Sequence, residues 1–436
     1  MGLRSCVQPA WIIRKCWTLS GIRWRHLFSA MQPWLPLRNI TTCTSRDRLL
    51  PYLESISGKH FLQTRSHHGN GSTSDLWNSP EHFSDGGPIQ AVETFEEGAR
   101  HSPVMVTQVL ELLNPKNGKL FIDMTFGSGG HTKAILSENP DAQVICLDRD
   151  PLAYCYAQEL AKSYREGQVL ACLGKFSEVP QILYQLGIIP GSVDGILFDV
   201  GASSMQYDQR GRGFSVSQDD PLDMRMDQGR DPDGVTAMDV VNFLSVQELR
   251  EIIKKYGEDR MAKDIAYAVV DARHVAGKIT TTQQLAEIIE SVFKGKLLRD
   301  KLNRKSHVAT RTFQALRIFV NNELNEINNG LEVSYNYLRP GGVCAGISFH
   351  SLEDRIFKRH FHGIDMDEAK NMSSKQKSRM LRDHHQKYDK ELIESILRRR
   401  WIPASRKVIT PDMMEVQENP RSRSAKLRAA IKSADV

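Results

Sequence analysis

The stretch at residues 120–131 constrains the fold of this chain more than any other. Three apolar residues lead to Asp123, and three glycines follow at positions 127, 129 and 130, just before His131. This pattern predicts a buried strand, a tight turn and the start of a helix. Glycine lets the backbone approach a ligand where a Cβ atom would collide, and the free N–H groups of a first helical turn attract negative charge. We therefore expect a ligand-binding loop at this turn.

A second acid strengthens that expectation. The apolar run 144–147 ends in Asp148, where a carboxylate can accept hydrogen bonds from both hydroxyls of a ribose. The loop lacks the third glycine of the dinucleotide pattern, and Asp123 suits the amino group and sulfonium of S-adenosylmethionine better than a pyrophosphate. The residues favour a methyltransferase over an NAD-dependent enzyme, and a purely structural glycine turn is the remaining interpretation.

Strands and helices alternate on both sides of these acids. Further strands are predicted at 169–173, 193–199 and 343–349, and helices at 151–163 and 177–186. Such alternation is typical of a wound α/β sheet, in which ligands bind beyond the carboxyl ends of the strands. Asp123, Asp148 and Asp199, which end the first, second and fourth strands, should therefore converge.

The alternation stops after the fourth strand. A polar loop spans about 201–233, and capping boxes at Ser245 and Thr281 open two helices, with another expected at 259–273. A loop of this length in a compact domain is usually functional or disordered, and we favour a functional one. Because no strand pattern interrupts the helices, we predict an inserted helical substrate-recognition domain at 206–305.

The sheet domain would then occupy 95–205 and 306–436, its second part beginning with one long helix at 310–338. Residues 1–46 contain seven Lys and Arg and no Asp or Glu. That composition is typical of a mitochondrial transit peptide, which predicts a location in the mitochondrial matrix; a disordered basic tail is the alternative. Residues 47–94, rich in Ser, Gly, His and Asn, are predicted to be a flexible linker.

Charge is unevenly distributed along the chain. The net charge is +6, yet residues 47–369 carry −10, whereas residues 370–436 contain 17 Lys and Arg against 8 Asp and Glu. If the chain binds nucleic acid, phosphate attraction should concentrate on this basic C-terminal segment, unless it is simply a solvated charged tail. Seven scattered cysteines without C-x-x-C spacing predict neither a disulfide framework nor a zinc site. No apolar run is long enough to span a membrane, so no membrane partner is expected.

Nine ordered blocks cover nearly everything after residue 100: His101–Met105, Asp123–His131, Leu147–Asp150, Asp194–Ser204, Arg212–Ser215, Pro221–Asp227, Thr310–Arg317, Ser348–Arg355 and Glu418–Ser424. In these blocks the sequence resembles the S-adenosylmethionine-dependent cytosine-N4 methyltransferases of small-subunit ribosomal RNA, the MraW family. The resemblance implies a class I, Rossmann-like methyltransferase sheet with an inserted helical domain. Two positions depart from the family pattern, Ser128 where arginine is common and Met205 in place of a proline, and neither removes a cofactor ligand.

The resemblance also implies where S-adenosylmethionine would bind. Its contacts would fall on Gly129, Gly130, His131, Asp148, Phe176, Asp199 and Gln206. Phe176 can stack on adenine, Asp148 can bind the ribose, and His131 or the neighbouring amides can bind the methionine carboxylate. The alternatives are a core aromatic at Phe176 and a helix-capping histidine at His131.

The expected catalytic residues are Asp199, Ser203 and His350. The N4 amine of cytosine is a poor nucleophile because its lone pair is delocalised into the ring. Asp199, with nearby backbone carbonyls or Ser203 and Ser204, can accept hydrogen bonds from the amino hydrogens and stabilise positive charge that develops on the nitrogen. Phe214 or His350 can supply a stacking or polar contact. Asp199 could instead serve the cofactor alone. We expect no metal, and interpret the acids of 219–227 as part of a salt-bridged loop.

The implied substrate is small-subunit ribosomal RNA or a pre-ribosomal particle, with assembly factors as further partners. With a transit peptide, that RNA would be mitochondrial. Two alternatives remain: a methyltransferase that acts on another RNA or on protein, and a ribosome-assembly factor in which methylation is secondary. The complete set of acids at the predicted strand ends argues against a scaffold without activity.

Overall fold

The computed structural model describes residues 49, 103–295, 298–299, 305–364, 400–405 and 407–434. The predicted transit peptide and linker, apart from residue 49, lie outside the described residues. Within the described part of the chain, no helix is both long and apolar enough to cross a membrane.

The described residues contain nine strands. They are β1 (Leu120–Asp123), β2 (Gln143–Asp148), β3 (Val169–Leu173), β4 (Val193–Asp199), β5 (Leu298–Arg299), β6 (Lys305–Ser306), β7 (Leu338–Ser348), β8 (Trp401–Pro403) and β9 (Lys426–Lys432). Seven form one sheet in the order β3-β2-β1-β4-β7-β9-β8, and β5 pairs with β6 in a separate hairpin. Strands β1 to β4 and β7 run parallel, whereas β9 is antiparallel to both neighbours. The predicted class I methyltransferase sheet is confirmed.

Thirteen helices lie in the same residues. They are α1 (Val106–Leu113), α2 (Gly130–Glu138), α3 (Pro151–Lys162), α4 (Val179–Gln185), α5 (Ser204–Asp208), α6 (Ala237–Phe243), α7 (Val246–Gly257), α8 (Ala262–Val275), α9 (Thr282–Phe293), α10 (Thr310–Val320), α11 (Glu323–Tyr337), α12 (Ser351–Phe361) and α13 (Met413–Glu418). The predicted capping boxes at Ser245 and Thr281 are present. Sequence reasoning missed α6, whose cap pairs Thr236 with Asp239 rather than with Glu or Gln.

Strand periodicity places alternate residues on opposite faces of the sheet. On one face, Ile122 and Ile196 lie in an apolar cluster with residues of α4, α11 and α12; on the other, Phe121 and Leu197 lie in a cluster with residues of α1, α2 and α3. A third apolar cluster joins α6 to α9 with α10. Helix α10, which we had assigned to the sheet domain, thus completes the core of the preceding helices.

The prediction of a single helix over 310–338 is wrong. The helix breaks between α10 and α11 at Asn322, whose φ of 50° is left-handed, a conformation that Asn adopts more readily than most residues. The adjacent Asn321 accepts a hydrogen bond from the Met226 amide at 2.8 Å and donates one to the Met224 carbonyl at 2.8 Å. The break therefore provides an anchor for the long polar loop.

Strands β8 and β9 also escaped prediction, because they lie in the segment that we expected to bind phosphate. Three of its arginines instead pair with acids of the fold: Arg428 with Asp354 at 2.6 Å, Arg421 with Asp208 at 2.9 Å, and Arg400 with Glu332 at 2.9 Å. These side chains hold the segment against the sheet domain. The basic residues at 375–399 lie outside the described residues.

Gly330 lets helix α11 approach β4 closely. A Cβ atom at this position would lie 2.8 Å from the ring of Phe198 and 3.3 Å from the Cβ of Phe176. The Phe176 ring meets the Phe198 ring edge to face, with centroids 5.3 Å apart. A small residue on α11 thus positions an aromatic side chain that we expect to contact the cofactor.

We predict that Gly330→Ala lowers the free energy of unfolding by about 1–3 kcal/mol, because overpacking outweighs the gain in helix propensity, about 1 kcal/mol. Asn336→Ala, at an exposed position of the same helix, is the matched control and should be neutral or slightly stabilising. Urea denaturation followed by circular dichroism measures both. Equal or greater stability of Gly330→Ala would contradict the close approach.

Candidate active site

Strand register explains why three acids meet at one edge of the sheet. Asp123 pairs with Cys146 of β2 on one side and with Leu197 of β4 on the other. Asp148 and Asp199 each lie two residues beyond those partners, at the carboxyl ends of their strands. The charge of Asp123 acts on both other carboxyls, which confirms the predicted convergence.

The glycine loop occupies the space between these acids. Gly127 and Gly129 have φ angles of 55° and 79°, which residues with a Cβ rarely adopt. Gly130 begins α2, and a Cβ there would lie 2.7 Å from the ring of Pro103. The loop therefore requires glycine for two different reasons, conformation at the turn and close packing at the start of the helix.

Asp123 forms hydrogen bonds with residues on both sides of the glycine loop. Its side chain is buried, and it accepts hydrogen bonds from the Thr132 hydroxyl at 2.8 Å and from the Thr125 amide at 3.2 Å. Burial raises the pKa of Asp123 to about 6. With both oxygens engaged inside the protein, Asp123 fits a role in shaping the loop better than the ligand contact that its position suggested.

Asp148 lies next to the loop and is only partly buried. Its two oxygens accept hydrogen bonds from the amides of Gly127 and Asp150, each at 2.9 Å. Burial raises the pKa of Asp148 to about 6. Each carboxylate oxygen retains acceptor capacity for a further donor, such as a hydroxyl group.

Asp199 carries the clearest sign of an absent ligand. Its Oδ2 atom lies 4.0 Å from Nδ1 of His131, whereas its Oδ1 atom is buried without a hydrogen-bond partner among the described residues. Nε2 of His131 lies 3.0 Å from the Val104 carbonyl, so it carries the proton and donates it there. Burial raises the pKa of Asp199 to about 6, the charges of Asp123 and Glu353 add to this effect, and His131 opposes it. A buried acceptor without a donor is costly unless a ligand supplies one.

Gln206 and Ser203 follow Asp199 at the start of α5. The Gln206 side chain donates to Oδ2 of Asp150 at 2.9 Å and accepts from the Ser203 amide at 3.1 Å. The Ser203 hydroxyl oxygen accepts from the Gln206 amide at 3.3 Å, which leaves its own proton free to donate. Gln206 is buried and joins α5 to Asp150, and Ser203 is the residue that caps α5.

His350 belongs to a buried ionic cluster that sequence reasoning did not recognise. It caps α12, and its Nε2 atom lies 2.8 Å from Oε1 of the fully buried Glu353, although neither atom has a partner in hydrogen-bond geometry among the described residues. Burial would raise the pKa of Glu353, but His350, Arg317 and the Phe349 amide hold it below its ordinary value. A negative charge is thus maintained close to Asp199.

Arg317 of α10 is the centre of this cluster. It forms a bidentate ion pair with Glu323 at 2.8 and 2.9 Å, lies 3.7 Å from Glu353, and donates to the Tyr207 hydroxyl at 3.2 Å. Arg317 ends one of the blocks that carry the family resemblance, and Glu353 lies within another. That resemblance was the only signal for these two residues in the sequence. The guanidinium ties α5, α10, α11 and α12 together beside the site.

Glu323, His350 and Glu353 could be mistaken for a metal site. Their ligand atoms lie within 4.8 Å of one another. The Arg317 guanidinium, however, already forms an ion pair with Glu323 and lies 3.7 Å from Glu353. A metal cation bound there would have to face that buried positive charge, which opposes its binding.

The polar loop after Asp199 closes over the same edge. Asp150 accepts hydrogen bonds from Gln206, Arg212 and Gln228 of the loop, at 2.8–3.2 Å. Asp227 lies 3.6 Å from Arg149 and 3.8 Å from Lys175. Asp223 pairs with Arg225 at 2.7 Å. The interpretation of these acids as part of a salt-bridged loop is confirmed for Asp223 and Asp227.

Comparisons with known proteins agree with this arrangement. The family model described as the MraW methylase family matches residues 98–433. The human 12S rRNA N(4)-cytidine methyltransferase METTL15 is 50% identical over 346 residues, 78% of this chain and 84% of that protein. The ribosomal RNA small subunit methyltransferase H of Methylobacterium nodulans is 42% identical over 76% of this chain and 89% of its own.

Two further matches are more limited. A Culex quinquefasciatus protein named as a receptor-type tyrosine-protein phosphatase, mosPTP-1, is 49% identical over 77% of this chain, but the match spans only 22% of that protein. A geranyl diphosphate methyltransferase solved with its substrate and sinefungin aligns with a TM-score of 0.28 and 10% identity, covering 74% of this chain and 77% of its own. Since the family model spans the glycine loop, the three acids and the Arg317 cluster, the chain is an S-adenosylmethionine-dependent methyltransferase that belongs to the MraW methylase family.

Proposed function

We propose that this protein transfers the methyl group of S-adenosylmethionine to N4 of a cytidine in small-subunit ribosomal RNA, in support of ribosome assembly and translation. The observation that carries the proposal is the buried, unpartnered Oδ1 atom of Asp199 beside the glycine loop. Such an acceptor suits an amino group of a ligand. The names of the human and bacterial relatives supply the nucleobase and the RNA.

The residues proposed to hold the cofactor are Gly129, Gly130, His131, Asp148, Phe176, Asp199 and Gln206. The cofactor supplies a methyl group on a positively charged sulfur. Asp148 would accept hydrogen bonds from the ribose, and Phe176 would contact the adenine. The amides at the start of α2 would bind the methionine carboxylate, while His131 donates to Val104 and so keeps its other nitrogen toward Asp199. Gln206 would act by holding α5 to Asp150.

The residues proposed to act on the base are Asp199, Ser203 and His350. Asp199 would accept a hydrogen bond from the N4 amine and orient its lone pair toward the methyl group. As the nitrogen gains its new bond it becomes more acidic, and an ionised carboxylate with a pKa of about 6 can take its proton at neutral pH. His350, whose Nε2 atom lies 2.8 Å from Glu353, would contact the base from the side of α12.

The substrate proposed is an unstacked or single-stranded cytidine, since the acceptor must leave the base stack to reach Asp199. Residues 206–305 are proposed to recognise the RNA. From the composition of residues 1–46 and the 12S rRNA named for the human relative, we also propose a mitochondrial matrix location, with a small-subunit particle and its assembly factors as partners.

Asp199→Asn should lower kcat at least 100-fold while the cofactor Kd changes less than about threefold, because the amide keeps one acceptor oxygen for the cofactor but cannot take the N4 proton. The assay uses labelled S-adenosylmethionine with free RNA and with small-subunit particles from cells that lack the protein, and nucleoside mass spectrometry identifies the product. Asp141→Asn, at an exposed acid on the opposite edge, is the matched control. No labelled cytidine with wild-type protein on either substrate would overturn the proposed function.

Asp148→Ala should weaken cofactor binding about 10- to 100-fold, since a hydrogen bond to a charged group contributes roughly 1.5–3 kcal/mol. Isothermal titration calorimetry with S-adenosylmethionine measures this change, with Asp141→Ala as the control. An analogue that lacks both ribose hydroxyls should bind wild type and Asp148→Ala equally. If wild type still bound that analogue much more tightly than Asp148→Ala, this would show that Asp148 acts only through the loop.

The methyl-transfer rate should rise with pH through about 6 and level off above it. The folded pKa of Asp199 is raised to about 6, so the carboxyl is protonated below that value and loses its capacity as acceptor and base. With saturating cofactor and RNA, kcat should show this acid limb in wild type and lose it in Asp199→Asn. A kcat that instead rises with pH near 4 would contradict the raised pKa of Asp199.

A further inference from the structure

A basic groove lies between helices α7 and α8, away from the cofactor edge. It has a volume of about 360 Å³ and is lined by Arg250, Lys254, Glu258, Asp259, Arg260, Ala262 and Lys263. Three of its four cationic side chains, Lys254, Arg260 and Lys263, are exposed, and Arg250 is partly exposed. The groove is therefore open to a large ligand.

These cations are free, unlike those of the C-terminal segment. Arg250, Lys254, Arg260 and Lys263 have no ion pair or side-chain hydrogen bond with any residue that the structure describes. Arginines such as Arg428 are instead committed to acids of the fold. Unpaired cations that share one concave surface are suited to bind successive phosphates.

Asp259 adds a different kind of group to the groove. Its side chain is only 6% exposed, and Oδ1 accepts a hydrogen bond from the Met261 amide at 2.8 Å. Its Oδ2 atom is buried and has no hydrogen-bond partner in the described part of the chain. A ligand for this groove should thus carry a hydroxyl or amino donor next to its negative charges, which is the chemistry of a ribose–phosphate backbone.

One residue of the groove contacts the helix that follows His350. Glu258, at its rim, accepts a hydrogen bond from the Ser351 hydroxyl at 2.6 Å and lies 3.4 Å from Arg355. Ser351 is the first residue of α12 and follows His350 directly. Gly257 packs against α10, since a Cβ there would lie 2.7 Å from the Arg311 carbonyl oxygen. These contacts join the groove residues to α10 and α12, the helices that carry Arg317 and follow His350.

We propose that this groove binds the ribose–phosphate backbone of the RNA strand next to the target cytidine, with the four cations on phosphates and Oδ2 of Asp259 accepting from a ribose 2′-hydroxyl. This inference rests on the proposed function, because it takes RNA as the substrate. The 2′-hydroxyl contact selects RNA over DNA, and the phosphate contacts make affinity depend on salt.

The first test removes charge from the groove. The triple variant Lys254→Gln, Arg260→Gln and Lys263→Gln should raise the KM for RNA at least tenfold, with cofactor affinity unchanged. For this variant, the slope of log affinity against log salt concentration should be shallower by about 2, since each phosphate contact on a single strand contributes about 0.7. The matched control replaces three exposed lysines near the amino ends of the strands, Lys116, Lys119 and Lys162, with Gln and should keep the wild-type slope.

The second test addresses Asp259 alone. Asp259→Asn keeps the acceptor for the Met261 amide but places an amino donor where Oδ2 lies. Fluorescence anisotropy with RNA and DNA oligonucleotides of one sequence should show that wild type prefers RNA and that the variant loses several-fold of this preference. An unchanged RNA-to-DNA ratio would overturn the 2′-hydroxyl contact.

These tests separate the groove from the reaction. If wild type forms N4-methylcytidine and the triple variant matches the control in KM and salt slope, the groove proposal fails and the proposed function stands. If wild type forms no methylcytidine but the triple variant loses RNA affinity and salt dependence, the proposed function fails and the groove remains an RNA-binding site. Circular dichroism of each variant verifies that it is folded.

Discussion

The convergence of three carboxylates, one buried and two partly buried, at one edge of a parallel sheet is the constraint on which the rest of this structure depends. Ionised groups are costly to bury, and burial raises the pKa of Asp123, Asp148 and Asp199 to about 6. The fold compensates Asp123 with Thr132 and Asp148 with the Gly127 amide, but leaves one oxygen of Asp199 without a donor. The two compensated acids stabilise the loop, and the uncompensated one is available for chemistry.

A buried cluster of charged side chains, centred on Arg317, lies beside that edge. Arg317 contacts Glu323, Glu353 and Tyr207, and so joins four helices around a single guanidinium. Removing one member of such a cluster would leave an unpaired buried charge, whereas the intact cluster defines one arrangement of the helices. Because Glu353 remains ionised, it also contributes to the high pKa of Asp199. Packing of the helices and reactivity of the site are thus coupled.

The polar loop and the helical insertion have different roles at this edge. The loop is fastened to Asp150 and Asn321 by side-chain hydrogen bonds, so it covers the cofactor side. The insertion shares its core with α10 and presents free cations beside α12. The inserted helices therefore carry unpaired cations, whereas three arginines in the described part of the C-terminal segment are paired with acids. The difference arises because Arg400, Arg421 and Arg428 are used to attach the last strands.

The sequence by itself determined the parallel strands, the glycine loop and the convergence of the acids, because apolar periodicity and glycine spacing are local patterns that depend on few residues. The family followed from the resemblance of nine ordered blocks of sequence. Only the tertiary structure decided that Asp123 shapes the loop, that the long helix breaks at Asn322, where Asn321 anchors the polar loop, and that Lys426–Lys432 forms a strand inside the sheet. Each of these depends on a partner far along the chain. Whether a carboxylate, amide or guanidinium serves ligand or fold is settled by which of its atoms already has a partner, and spacing along the chain does not contain that information.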